Sequence, residues 1–267
     1  MNQPDQTTRL TEATTTPPLS PLARAANAPE HAKLVQERLR DPIVREALDK
    51  LYDALPADLY YHNVPHTLDV FEHALLLGRH AGLNSRDLRL LAIAAAWHDT
   101  GFIKARHRNE SFAAEWARES MERAGTFSRS EIADVTTAIL DTEMMIEDET
   151  GIRIQRAVGR LSPWLLDADL SNFGLPSFFK SSLRIYREIS GIPINSVDEL
   201  CGPQQTNYLT GSLRMLQRHS WQTDVASQFL QQQKEINIAK LSALIKAVGT
   251  NSLEERRQAW QGLEFTA

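Results

Sequence analysis

The segment at residues 88–97, LRLLAIAAAW, constrains the fold more than any other. It has helical length and is apolar around nearly its whole circumference. Such a helix has no face for water, so other elements must cover it on all sides. The helix is expected to start at a Ser85 cap and to close at Gly101, which puts His98 and Asp99 at its C-terminal end. Upstream, residues 29–54 place Leu34, Val35, Leu39, Ile43, Val44, Ala47 and Leu51 at three- and four-residue steps, an amphipathic helix that Pro42 kinks or divides. A further helix begins near His66, with Asn63 as its cap and Pro65 in its first turn.

Downstream, helices are expected at about 110–124, 129–141 (begun by Ser128 or Ser130), 153–168, 198–218 and 222–247, with a short amphipathic segment after 251. Pro163 marks a kink or early stop in the 153–168 helix. Residues 170–197 read as looser. Alternating strand patterns and Asn-Gly or Asp-Gly hairpin signals are missing. The expected fold class is all-α: a single helical domain over 29–267 behind a disordered, Thr- and Pro-rich tail over 1–28.

With 42% hydrophobic and 24% charged residues, the chain of 267 can bury a sizeable core. Its net charge of −5 argues against broad nucleic-acid binding. A single cysteine, Cys201, allows neither an intrachain disulfide nor a Cys-based zinc site, and suits a reducing compartment. With no secretory signal and no run of about 18 apolar residues, the expected location is cytoplasmic, away from membranes.

The eight histidines are then informative. His66, His73 and His80 recur every seven residues, so neighbours lie about 10.5 Å apart along a helix and at most one can bind a given ion. His73 and His80 read as half-buried or surface residues. His66 starts a helix, and the adjacent His98 and Asp99 end one, where ligands can splay toward one cation. A further carboxylate is needed, and LLDADLSNFG offers Asp167 and Asp169 at the end of an apolar segment, a costly place for carboxylates without a cation. This donor set suits Mg, Mn, Fe, Co, Ni or Zn without selecting one. His62, with an ordinary pKa near 6.5, suits proton donation.

The order His66, His98–Asp99, distal aspartate resembles the H…HD…D signature of the HD-domain superfamily of metal-dependent phosphohydrolases, over roughly residues 35–175. YHNVPHTLDV and DADLSN are also similar to stretches of cyclic-nucleotide phosphodiesterases. The resemblance implies metal ligands His66, His98, Asp99 and Asp169, with Asp167 left either to support the ligands from behind or to end its helix. It implies His62 as the group that protonates the leaving oxygen. Asp99 would take part in catalysis and could bridge to a second ion. Related sequences often carry a His-Glu pair after the HD pair, whereas this chain has Asn109–Glu110, which weakens the case for that second ion.

The expected function is hydrolysis of a phosphate mono- or diester, on a nucleotide or other small phosphorylated molecule, through metal-activated water. Lys104, Arg106, His107 and Arg108, directly after the HD pair, are the expected phosphate-binding residues. His219, Lys234 and Asn237 are further candidates to reach the pocket. The pattern lacks the acidic pair of guanosine-tetraphosphate hydrolases, the Gly-Tyr-Pro signature of cyclic-dinucleotide enzymes, and the His- and Gly-rich stretch of deoxynucleotide triphosphohydrolases. Two alternatives stand beside this reading: a non-catalytic nucleotide-sensing or scaffold domain with a structural metal, and a di-iron oxygenase.

Overall fold

The computed structural model describes residues 21–147, 151–195, 199–200, 202–250, 252–261 and 263. The fold is all-α. Short helices α1 (Pro21–Ala26) and α2 (Pro29–Leu39) lead into α3 (Pro42–Ala54). Pro42 divides the predicted upstream helix, and Asp41 caps the second half by accepting from the Ile43 amide at 3.0 Å. Residues 1–20 and Cys201 lie outside the described residues. Residues 21–26, expected within the tail, form α1, because Leu22 is buried in the core and stabilises the helix there.

The apolar helix α5 (Ser85–Trp97) is covered as its composition requires, by α3, α4 (Val64–His80), α6 (Asn109–Ala124), α7 (Arg129–Leu140) and α8 (Ser162–Asp169). All its residues from Leu90 to Trp97 are buried, and the Trp97 Nε1–H donates to the Ile43 carbonyl at 3.1 Å. Its cap is Asn84 rather than Ser85: the Asn84 side chain accepts from the amides of Arg86 and Asp87. A 3-10 turn (Thr100–Ile103) follows α5. Gly101 serves a different purpose from the one expected. A Cβ there would lie 1.8 Å from the Asn109 carbonyl oxygen, so its missing side chain lets the turn pack backbone to backbone against the start of α6.

Two expectations fail in the second half. Residues 153–168 are not one helix. A two-stranded antiparallel hairpin pairs β1 (Met145–Ile146) with β2 (Arg153–Ile154), and α8 starts only at Ser162. Pro163 sits at the first turn of α8, where its missing N–H costs nothing, so it begins the helix instead of stopping it. The region read as loose contains a 3-10 turn (Ser171–Gly174) and α9 (Phe178–Ser190). Of the last helices, α11 (Asp224–Val248) and α12 (Leu253–Gln261) follow the predicted boundaries closely, while α10 (Pro203–Arg218) starts later than the expected 198, with Pro203 in its first turn. With α9 they build a second apolar cluster around Phe178, Tyr186, Leu216 and Leu241, and Trp221 packs against both clusters. Among the described residues, no helix is long and apolar enough to cross a membrane.

Candidate metal centre

Three helix ends meet at one point. Asn63 caps α4 by accepting from the His66 amide at 3.2 Å, which sets His66 in the first turn. His98 is the last residue with helical backbone after α5, and Asp99 (φ −101°, ψ 1°) has left it, so the two adjacent side chains splay apart. Asp169 is the final residue of α8. Asp99 Oδ2 lies 3.5 Å from His66 Nε2 and 3.2 Å from His98 Nε2. Asp169 Oδ1 lies 3.3 Å from His66 Nε2 and 3.6 Å from His98 Nε2.

These separations exceed the ~2.7–2.9 Å of a charge-assisted hydrogen bond. They match two ligands of one ion: metal bonds of about 2.0–2.2 Å at tetrahedral angles put neighbouring ligand atoms about 3.3–3.6 Å apart. His66 Nε2, His98 Nε2 and Asp99 Oδ2 are all buried without a hydrogen-bond partner, which native interiors rarely tolerate. The His98 Nδ1–H donates to the Ala95 carbonyl at 2.8 Å, leaving the Nε2 lone pair facing the cluster. Asp169 Oδ2 accepts from Gln155 Nε2 at 2.6 Å, so only Oδ1 faces inward. His66, His98 and Asp169 form a group that could hold a metal ion; Asp99, expected as a fourth ligand, is not part of that group, although its Oδ2 lies beside both imidazoles.

The charges agree. Burial opposes ionisation of His98, yet the Asp99 and Asp169 carboxylates push its imidazole well above its ordinary value. Burial likewise works against the two carboxylates, and the neighbouring imidazoles outweigh it and hold both below the usual range. Both carboxylates therefore stay ionised beside the His98 imidazole.

A cavity of about 490 Å³ opens over the cluster, with Asp99 and Asp169 in its floor. His62 lines its wall, stacked on Phe102 with ring centroids 4.6 Å apart. Glu188 on α9 accepts from His62 Nδ1 at 2.5 Å and from the amides of Tyr61 and His62 at 2.8 and 3.1 Å. Burial pulls the His62 imidazole down, but the Glu188 hydrogen bond and the Asp99 charge raise it overall. Burial pushes Glu188 up, and its bond to His62 brings it below the usual carboxylate range. Tyr61 packs its ring on His66, centroids 4.5 Å apart.

The other predicted residues are placed differently. Asp167 is buried away from the cluster: it accepts from the Gln222 amide (2.8 Å), the Thr223 amide (2.8 Å) and the Thr223 hydroxyl (2.7 Å), and burial pushes it up to about 6. It is a helix-terminal group that fastens the start of α11. Lys104, Arg106, His107 and Arg108 do not line the cavity; Arg106 pairs with Asp58 at 2.8 Å. Glu110 does line it, hydrogen-bonded by Asn109. His219 and Lys234 bind each other, with Lys234 Nζ 3.0 Å from His219 Nδ1, and the Asn237 amide ties down the Phe173 and Leu175 carbonyls. His219 borders a side cavity of about 190 Å³. His73 is half-buried on Ser171, and burial pushes it down to about 4; His80 is exposed.

Sequence reasoning missed Glu188, Gln155, Tyr61 and Phe102. Tyr61 and Phe102 flank His62 and the HD pair directly, so proximity to the motifs could have flagged them. Glu188 lies 126 residues from His62, with no local signal linking the two. No family model, curated protein or solved structure matches this chain.

Proposed function

We propose that the chain is a metal-dependent hydrolase of phosphate esters, acting on a small phosphorylated molecule held in the 490 Å³ cavity. One observation carries this reading. The unpartnered, buried donors of His66, His98 and Asp99, with Asp169 Oδ1, converge at the cavity floor beside a carboxylate-held imidazole. The resemblance of the motif to the HD-domain superfamily supports it.

His66, His98, Asp99 and Asp169 would hold a divalent cation, with Mn, Mg, Fe, Ni, Co and Zn all compatible with two imidazoles and two carboxylates. Such a cation supplies Lewis acidity, which makes water nucleophilic at neutral pH and offsets charge building on phosphorus. His62 has one ring nitrogen committed to Glu188, so its other edge, Nε2–H, is the one free to give a proton to a departing oxygen. Glu188, kept ionised, stabilises the charged imidazole and fixes its orientation. Phe102 holds the ring from its face.

Two measurements test this. Elemental mass spectrometry of purified protein, repeated after soaking in Mn²⁺, is expected to find a bound transition metal in the wild type and little in Asp99→Ala. His62→Ala should keep its metal and lose about 10²–10⁴ in kcat on phenyl phosphate. The same variant should lose far less on 4-nitrophenyl phosphate, whose leaving group departs without a proton. Equal losses on both esters would remove the general-acid role, and metal retained in Asp99→Ala would remove the proposed centre.

A further inference from the structure

The cavity wall holds two cations that hydrolysis at the cluster does not use. Arg153, on β2, and Arg214, on α10, both line it. Neither forms an ion pair among the described residues, although Arg218, one turn beyond Arg214 on the same helix, pairs with Glu147 at 2.8 Å. Arg106, in the basic run beside the HD pair, is likewise engaged, with Asp58. The cavity thus has an acidic floor suited to a cation and, separately, two uncommitted guanidinium groups.

Much of the remaining lining is apolar, including Phe102, Phe173, Phe178, Ile185, Ile189 and Met215. The volume falls within the roughly 300–1,000 Å³ typical of small-molecule sites. A guanidinium fork matches the geometry of a carboxylate or phosphate, and an unpaired arginine beside an apolar wall is a recognition element for an anion.

We propose that Arg153 and Arg214 form an anion subsite, so that the substrate is a doubly anionic molecule with an apolar or aromatic body. Its reacting phosphoryl group lies at the His/Asp cluster, its body lies on the phenylalanine-lined wall, and a second carboxylate or phosphate meets the arginines. The proposal rests on the hydrolase reading for the placement of the first anionic group. It makes the two arginines specificity-determining, a part that the basic run at 104–108 does not fill.

The test uses phosphonates, which bind without being hydrolysed. Isothermal titration of the full-length protein, with and without Mn²⁺, would compare the methyl ester of 4′-carboxybiphenyl-4-phosphonate, the free acid, and biphenyl-4,4′-diphosphonate. A single-ring series of the same three compounds tests a shorter span. In the wild type the doubly charged probe of at least one series is expected to bind about tenfold or more tighter than its ester. The carboxylate and diphosphonate arms report which second anion is preferred. In the Arg153→Ala/Arg214→Ala double variant that ratio should fall to about one; both side chains are exposed, and circular dichroism checks that the variant is folded. The same ratio in wild type and variant, no ratio in either series, or no binding of any probe overturns the proposal. Affinity that ignores Mn²⁺ while the arginine-dependent ratio persists would leave the anion subsite standing and remove the metal reading instead.

Discussion

Glu188 decides how His62 points. Its carboxylate takes one side-chain and two backbone hydrogen bonds from the 61–62 turn, so the imidazole cannot rotate without losing a buried, charge-assisted bond. Glu188→Ala is expected to lower kcat on phenyl phosphate about 10- to 100-fold, part of what a positioned general acid contributes, with metal content unchanged. Full activity in this variant, measured alongside metal content, would show that His62 needs no orienting partner. A second residue-scale effect concerns acid stability. His31 is fully buried, both its ring nitrogens lack hydrogen-bond partners, and burial followed by the Arg79 charge pushes it down to about 4. The unfolded chain takes up this proton near pH 6.5 and the folded one only near 4, so the unfolded state binds more protons in between. Stability is therefore complete above ~6.5 and falls on acidification through that window, by at most roughly 3 kcal/mol from this group. Urea unfolding near pH ~7 and pH ~5 should show a smaller acid loss in His31→Leu than in the wild type. An identical loss in both proteins would assign the effect elsewhere.

The elements are joined to the site through their ends. Asp167 and Asp169, two residues apart on α8, divide the work: Asp169 faces the His66 and His98 imidazoles, and Asp167 turns away to hold the amides that open α11. Asp167→Ala would leave two amides and a hydroxyl without their acceptor and is expected to cost about 2–4 kcal/mol in urea unfolding. A loss within error of zero would mean that water replaces the carboxylate. Most helices were legible because their apolar residues recur every three or four positions, and caps such as Ser128, with its reciprocal Glu131 bond, mark their starts. Helix α9 carried a signal too, in Phe178, Ser182 and Tyr186 at four-residue steps and Gly191 (φ 72°) just past its end. The hairpin did not, since strands of two residues are too short to show alternation.

Across the molecule, the cluster ties α4, α5 and α8 together at their ends, so a bound cation should stabilise the fold as a whole. At a hundredfold excess over its Kd the gain is about 2.7 kcal/mol, read as a concentration-dependent rise in Tm with Mn²⁺. Asp169→Ala should abolish the rise; a shift of the same size in the variant would place the ion elsewhere. The apolar circumference of α5 is what buries this side of the cluster, because burying that helix also buries His98 at its end. A low local dielectric strengthens the pull of two carboxylates on one cation.

By itself the sequence determined the all-α class, the central place of α5, and the position of His66, His98, Asp99 and Asp169 at helix ends. Those features depend on contacts three or four residues apart, and periodicity and caps record such contacts directly. Only the tertiary structure decided that Glu188 holds His62, and that Arg153 and Arg214, not the 104–108 run, line the cavity. Each of those depends on which helix faces pack together across long stretches of chain, and on where an irregular segment leaves its helix. No local pattern of residues encodes that choice.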